Sequence, residues 1–81
     1  MNTYTVQFFA FCPMDGERIL YTLSIEINLM IMVESINDAV TMIDRGFHEE
    51  IADDLLREFG GRQVMTANHH GVEIKTVRQV P

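Results

Sequence analysis

The stretch Ile19–Val33, which reads ILYTLSIEINLMIMV, carries the longest regular pattern in the chain. Every odd position from residue 19 to residue 33 is apolar, and the even positions include threonine, serine, glutamate and asparagine. An apolar residue at every second position is typical of a β-strand that buries one face. Asn28 either ends this strand or marks a bulge within it.

The preceding segment, Tyr4–Cys12, also alternates, and the Asp15-Gly16 pair lies between the two segments. Asp-Gly is a strong signal for a two-residue type I′ turn, so the sequence predicts an antiparallel hairpin. Taking Asp15-Gly16 as the turn places Ala10 opposite Tyr21. Both apolar sets then fall on one face of the hairpin.

The same hairpin leaves a second group of apolar side chains on its opposite face. Phe9, Phe11 and Leu20 belong to this group, and Met30 and Met32 join it if the strand continues beyond residue 28. An exposed apolar face of this kind has to be covered by a partner or by the chain's own irregular segments. These five residues are therefore the predicted dimer interface or second interface.

The stretch Glu34–Phe59 contains eight acidic and two basic residues, so its net charge of −6 equals that of the whole chain. Apolar residues recur in it at helical spacing. Ser35 is predicted to open the helix, with Asp38 three residues later as a weaker form of the capping box. Gly46 either lies within a continuous helix or ends one helix in the left-handed conformation and caps the next. We favour a break or kink there.

The second half of this stretch combines an apolar stripe with a cluster of charge. The stripe consists of Phe47, Ile51, Leu55 and Phe59. The opposite side of the helix carries the predicted partner-binding residues Glu49, Glu50, Asp53, Asp54 and Arg57. The four acids span about 7.5 Å of helix, a charge density near the one charge per ~1.7 Å of duplex DNA. An ordinary solvated helix face has a similar composition, so both interpretations stay open.

Gly60-Gly61 ends the helix, and two further strands follow it. The strands are Gln63–Ala67 and Val72–Val77, joined by a loop of two or four residues within 68–71, and the last strand is suited to a sheet edge. The predicted fold is α+β, one domain over residues 1–81. It has an antiparallel four-stranded sheet, element order ββααββ, with a kinked or broken helix packed on one face. The order of the strands within the sheet is not predicted.

The charge balance restricts the partners. With a net charge of −6, a pI near 4.8 and only six Lys and Arg residues, the chain is poorly suited to bind nucleic acid or an anionic membrane directly. Both of those partners require cations to neutralise phosphate. A basic protein surface is the natural complement. The 47% apolar content is typical of a folded domain.

Cys12 is the only cysteine, so no disulfide can form within the chain. The N-terminus also lacks the basic and apolar regions of a secretory signal, and the most apolar run, Leu29–Val33, is far shorter than a membrane helix. We therefore expect a cytoplasmic protein.

The three histidines and the cysteine are the candidates for site chemistry. His69 and His70 are adjacent, and adjacent residues of a strand point to opposite faces, so we do not expect them to share a metal ion with Cys12. His48 has no second histidine four residues later. Cys12 has no base near it in sequence to make it a nucleophile. The sequence predicts no catalytic residue, no metal site and no cofactor.

In size, in charge and in the run Glu49–Asp54, EEIADD, the chain resembles the small acidic proteins that phages deploy against bacterial defence, including anti-CRISPR proteins. The resemblance implies a non-catalytic inhibitor, which acts in the host cytoplasm if a phage encodes it. Such a protein docks its acidic helix into a basic, nucleic-acid-binding channel of its partner.

Two functions of other classes stay open beside the inhibitor. The first is a homodimeric structural or accessory module that uses the apolar sheet face. The second is a small metal-dependent or cysteine enzyme. Light scattering tests the first of these two, and metal analysis with variants of Cys12 and His69 tests the second.

Overall fold

A computed structural model describes residues 1–80 and contains four strands and two helices. The elements are β1 (Asn2–Phe11), β2 (Arg18–Ile27), α1 (Val33–Thr41), α2 (His48–Phe59), β3 (Arg62–His69) and β4 (Val72–Gln79). All four strands form one antiparallel sheet in the order β1-β2-β3-β4. The predicted α+β class, the four-stranded antiparallel sheet and the order ββααββ are confirmed.

One face of the sheet provides most of the core. The side chains of Tyr21, Leu23, Ile25 and Met65 are each at most 1% exposed, and all four lie on the two central strands. Both helices contribute to the same buried cluster, with Ile36, Val40, Ile51, Ala52 and Leu55. Because successive strand residues alternate in direction, the remaining strand side chains lie on the other face.

The predicted register of the first hairpin is wrong by two residues. Ala10 lies opposite Ile19, and Tyr21 lies opposite Phe8. A shift of two residues keeps every side chain on its predicted face, because the strand period is two. The predicted assignment of side chains to the buried face is therefore still correct.

The cause of the shift is the conformation of the loop. A type I′ turn needs a positive φ at both central residues, and at Asp15-Gly16 only the glycine has one, at 72°. The chain instead makes a longer loop between Cys12 and Glu17. Within it the Gly16 amide donates to the Cys12 carbonyl at 2.9 Å, and the Cys12 amide donates to the Glu17 carbonyl at 2.9 Å.

The second hairpin has the turn in which both central residues show the positive φ of type I′, at His70-Gly71. Both residues have a positive φ, 53° and 84°. His69 pairs with Val72 directly before and after them, so the loop has two residues, as one of the two predicted alternatives had it. Strand β4 is at the sheet edge, as predicted.

Strand β2 ends at Ile27, so Asn28 ends the strand rather than marking a bulge. Met30 and Met32 are exposed, but they lie in the connection to α1 and not on the sheet. The condition under which they were predicted to join the apolar sheet face, a strand that continues beyond residue 28, is therefore not met. The Ile31 amide donates to the Tyr4 hydroxyl at 3.0 Å, a hydrogen bond outside the strand pairing.

Helix α1 begins two residues before the predicted start. Its N-cap is Met32, which makes no side-chain cap, and the Ser35 amide already donates to the Met32 carbonyl at 3.0 Å. Ser35 is thus inside the first turn, and the predicted capping box with Asp38 is wrong. Helix α2 has Phe47 as its N-cap.

Gly46 lies between the helices, but neither role predicted for it is found. Its φ is not positive, and it is not the N-cap of α2. Residues 44–46 instead run beside the end of β1: the Phe11 amide donates to the Asp44 carbonyl at 2.9 Å, and the Gly46 amide donates to the Phe11 carbonyl at 3.2 Å. A Cβ at Gly46 would lie 3.0 Å from Ile51 Cγ1. This pairing with the sheet edge takes the connection out of helical geometry.

Gly60 and Gly61 give a matched test of the connection from α2 to β3. Both have a φ of about +71°, but a Cβ on Gly61 would lie 2.5 Å from the Glu26 carbonyl oxygen, whereas a Cβ on Gly60 meets nothing within 4 Å. Gly60→Ala should cost about 1–3 kcal/mol of unfolding free energy from backbone strain alone. Gly61→Ala should cost more, because it adds a clash with β2. Denaturant unfolding measures both, and equal losses would contradict the close approach at Gly61.

Candidate functional site

The predicted partner-binding residues lie on α2, and the structure divides them into two groups. Ile51 and Leu55 are buried, which turns the acidic side of the helix to solvent. Glu49 and Glu50 are exposed and have no ion-pair partner among the residues that the structure describes. Asp53 and Asp54 both have one.

The two paired acids use different arginines. Arg78 on β4 donates from Nε to Asp53 Oδ1 at 2.7 Å, and this ion pair is partly buried. Arg57 pairs with Asp54 three residues earlier, at the exposed surface. The second pair joins two residues that are neighbours on the helix surface because they are three positions apart. The first was missed because it depends on β4 lying beside α2, which no local pattern in the sequence reveals.

The remaining acids of the helical stretch extend this surface. Four of them are exposed, namely Glu34, Asp38, Asp44 and Glu58. Together with Glu49 and Glu50 they give six exposed acids that form no ion pair within residues 1–80. We call residues 34–59 the acidic layer.

Three of the five residues predicted for a second interface lie on the outer face of the sheet. Phe9, Phe11 and Leu20 are 45%, 37% and 41% exposed, and Phe9 lies directly opposite Leu20 on β2. The Arg18 guanidinium lies 3.6 Å from the centre of the Phe9 ring. The apolar area is therefore a small corner of the sheet, partly covered by a cation.

The four side chains of Cys12, Asp15, His69 and His70 meet where the two hairpin turns lie side by side. We call them the hairpin-end cluster. The Cys12 thiol, an Asp15 carboxylate oxygen and a His69 ring nitrogen all lie within 4.8 Å of one another. The His69 and His70 rings stack with their centres 4.4 Å apart. The expectation that the adjacent histidines point apart is wrong, because His70 lies in the turn with a φ of 53° and not in the strand.

Asp15 is the centre of this cluster. Its Oδ2 lies 2.8 Å from His70 Nε2 and 3.2 Å from His69 Nε2, and its Oδ1 accepts the Glu17 amide at 2.9 Å. The hydrogen bond from His70, followed by that from the Glu17 amide, holds the pKa of Asp15 far below its ordinary value. In return, Asp15 raises the pKa of His70.

Sequence reasoning missed Asp15 as a site residue because it treated the residue only as half of a turn signal. The partners of its carboxylate are 54 and 55 residues away along the chain. The one available signal was the topology: two successive antiparallel hairpins place their turns at the same end of a sheet when β2 and β3 are neighbours. The neighbour relation of these strands was not predicted.

His48, the third histidine, is half-buried, and both of its ring nitrogens are shielded from solvent. Its ring lies 5.4 Å from the Tyr21 ring, and neither ring nitrogen makes a hydrogen bond of normal geometry with any of residues 1–80. Burial lowers the pKa of His48 below 6.5, and the Met65 backbone and Glu49 oppose this effect without cancelling it. Arg78 acts in the same direction as burial.

The lowered pKa of His48 makes folding stability depend on pH. The unfolded chain binds a proton on this ring more readily than the folded chain does, so the contribution is present above pH 6.5 and is lost as the pH falls. As the pH falls from about 7.5 to about 5.5, the His48→Phe variant should therefore lose less unfolding free energy than the wild type does. Denaturant titrations at several pH values measure this difference. His69 and His70 are present in both proteins, so their contributions to the pH dependence cancel. Parallel curves of unfolding free energy against pH would contradict a His48 that is neutral in the folded chain.

Comparison with known proteins gives no relative from which a role could be taken. No protein-family model, curated protein or solved structure matches the chain. Within residues 1–80, neither helix has the length and apolar content needed to cross a membrane.

Proposed function

We propose that this protein is a non-enzymatic binding protein that docks its acidic layer onto a basic, nucleic-acid-binding surface of a partner protein. The observation that carries this proposal is the separation of charge in the fold. The acidic layer holds the whole net charge of −6, whereas the rest of the chain has four acidic and four basic residues.

We further infer that α1 and α2 together cover one face of the sheet, so that the acidic layer forms one side of the molecule. The shared core supports this arrangement, because Ile36 of α1 and Ile51 of α2 belong to the same buried cluster as Leu23 of β2. A partner that approaches from this side meets the acids of both helices. Charge concentrated on one side also steers association with a basic partner.

Glu49 and Glu50 are the centre of the proposed docking surface. They form no ion pair with any of residues 1–80, so a basic partner does not have to displace one there. Asp53 and Asp54 would have to share or exchange Arg78 and Arg57 when they bind. The unpaired acids should therefore contribute more to affinity than the paired ones.

The charge of α2 fits a surface built for nucleic acid. Its first seven residues include four acids, and a helix rises about 1.5 Å per residue, so the acids are spaced much as phosphates are along a duplex. A basic channel that binds nucleic acid presents Lys and Arg at matching intervals. The proposed action is competitive inhibition in the cytoplasm, of the kind used by anti-CRISPR proteins, without direct binding to nucleic acid or membrane.

Charge-neutralising variants test the docking surface against a matched control. Changing Glu49, Glu50, Asp53 and Asp54 to Gln or Asn should abolish capture of the partner that co-purifies at low salt. Glu49→Gln with Glu50→Gln alone should weaken binding at least ~10-fold, equivalent to about 1.4 kcal/mol.

The control for this test is Glu17→Gln with Glu73→Gln, which changes the net charge equally but lies outside the acidic layer. It should bind as the wild type does. The double variant at residues 49 and 50 breaks no ion pair, so its fold should be intact by circular dichroism. Wild-type binding by the quadruple variant would refute the proposal.

The apolar corner of Phe9, Phe11 and Leu20 supports a second candidate function, a homodimeric structural or accessory module. These side chains are contiguous across β1 and β2 and lie outside the acidic layer. If the corner is a dimer interface, light scattering at high micromolar concentration should give twice the chain mass, and Leu20→Asp should give the monomer mass. A monomeric wild type would exclude this candidate and leave the acidic docking surface unaffected.

A further inference from the structure

The topology places the two hairpin turns against each other. Strand β2 pairs with β3, with Tyr21 opposite Ala67, and each of these strands adjoins a turn at the same end of the sheet. The loop after β1 carries Cys12 and Asp15, and the end of β3 carries His69. Three side chains of different chemistry therefore meet there from two separate parts of the chain.

The backbone fixes these side chains before any ligand arrives. The loop is closed by backbone hydrogen bonds between Cys12 and Glu17 and between Cys12 and Gly16. The Glu17 amide also donates to Asp15 Oδ1. In the other turn, the Gly71 amide donates to Asn68 Oδ1 at 3.0 Å. Asp15 Oδ2 is thereby directed at the histidine rings. Donor atoms held in this way need little reorganisation to bind an ion.

The spacing of the donor atoms suits a tetrahedral metal ion. Bonds of about 2.0–2.3 Å put the ligand atoms of a tetrahedral zinc site roughly 3.3–3.8 Å apart. The His69 nitrogen and the Asp15 oxygen are 3.2 Å apart, and no pair among the Cys12, Asp15 and His69 ligand atoms exceeds 4.8 Å. Adjustments of about 1 Å in side-chain position therefore complete the geometry.

The donor types select the metal. Sulfur and imidazole nitrogen suit borderline transition metals, whereas Mg²⁺ and Ca²⁺ are bound mainly by oxygen. From this geometry and donor set we propose that the hairpin-end cluster binds Zn²⁺. Cys12, Asp15 and His69 are its ligands, and His70 is a positioning residue that orients the Asp15 carboxylate. Water fills the fourth position.

Binding replaces protons by the metal. The Cys12 thiol loses its proton to the solvent and coordinates as thiolate, and His69 coordinates as neutral imidazole through Nε2. His70 keeps its hydrogen bond to Asp15, as second partners of metal-bound carboxylates do. The ion then connects two hairpins that are more than 50 residues apart in sequence, so it should stabilise the fold as well as fill the site.

The test uses the metal alone on the full chain after treatment with a chelator. Isothermal titration with Zn²⁺ should give one site per chain and raise the unfolding temperature. Co²⁺ should bind in its place and produce a thiolate-to-cobalt charge-transfer band. His69→Gln and Asp15→Asn should each weaken Zn²⁺ binding by more than ~10-fold, and His70→Gln by about 10-fold. Glu73→Gln, on the neighbouring strand, should leave it unchanged.

Each other result overturns the proposal or one of its assignments. No binding at micromolar Zn²⁺ refutes the site. Co²⁺ binding without the thiolate band excludes Cys12 as a ligand. The thiolate band tests Cys12 as a ligand even if the Cys12→Ser variant fails to fold because this position is buried. An unchanged affinity in both His69→Gln and Asp15→Asn would place the metal elsewhere. None of these outcomes bears on the acidic docking surface.

Discussion

One face of the four-stranded sheet carries most of the buried side chains, and both helices contribute to the same buried cluster. Strand β2 has a neighbour on both sides, and its inward side chains Tyr21, Leu23 and Ile25 are almost completely buried. A domain of this size has one modest core, so both hairpins and both helices have to contribute to it. The charged side chains are left outside this core, where those of residues 34–59 belong to the acidic layer and Asp15 meets the two histidines.

The sheet and its buried face could be predicted because alternation is a property of each strand by itself. The face stayed right even though the Ala10 pairing shifted by two residues, since the strand period is two. The turn that caused the shift could not be predicted from dipeptide preference. Asp15-Gly16 has the favoured sequence for a type I′ turn, yet the hairpin turn in which both central residues have a positive φ is His70-Gly71. The pairing of His69 with Val72 leaves a loop of two residues there.

Only those features of the candidate sites that depend on residues close together in the sequence could be predicted. Glu49 and Glu50 are on the exposed side of α2 because helical spacing alone places them there. The pairing of Asp53 with Arg78 and the meeting of Asp15 with the two histidines both require the strand order, which no residue pattern contained. Gly46 was misread for the same reason, because its backbone hydrogen bond goes to Phe11 on a distant strand. Tertiary contacts outweighed local propensity at each of these positions.

We propose that the acidic layer, and not the outer face of the sheet, meets the partner. Chemical-shift mapping of the isotope-labelled protein in complex with its low-salt co-purifying partner tests this most directly. We expect the largest changes on the amides of residues 47–58, and we expect these changes to disappear at high salt. Changes centred on Phe9, Phe11 and Leu20, with α2 unaffected and no dependence on salt, would contradict it.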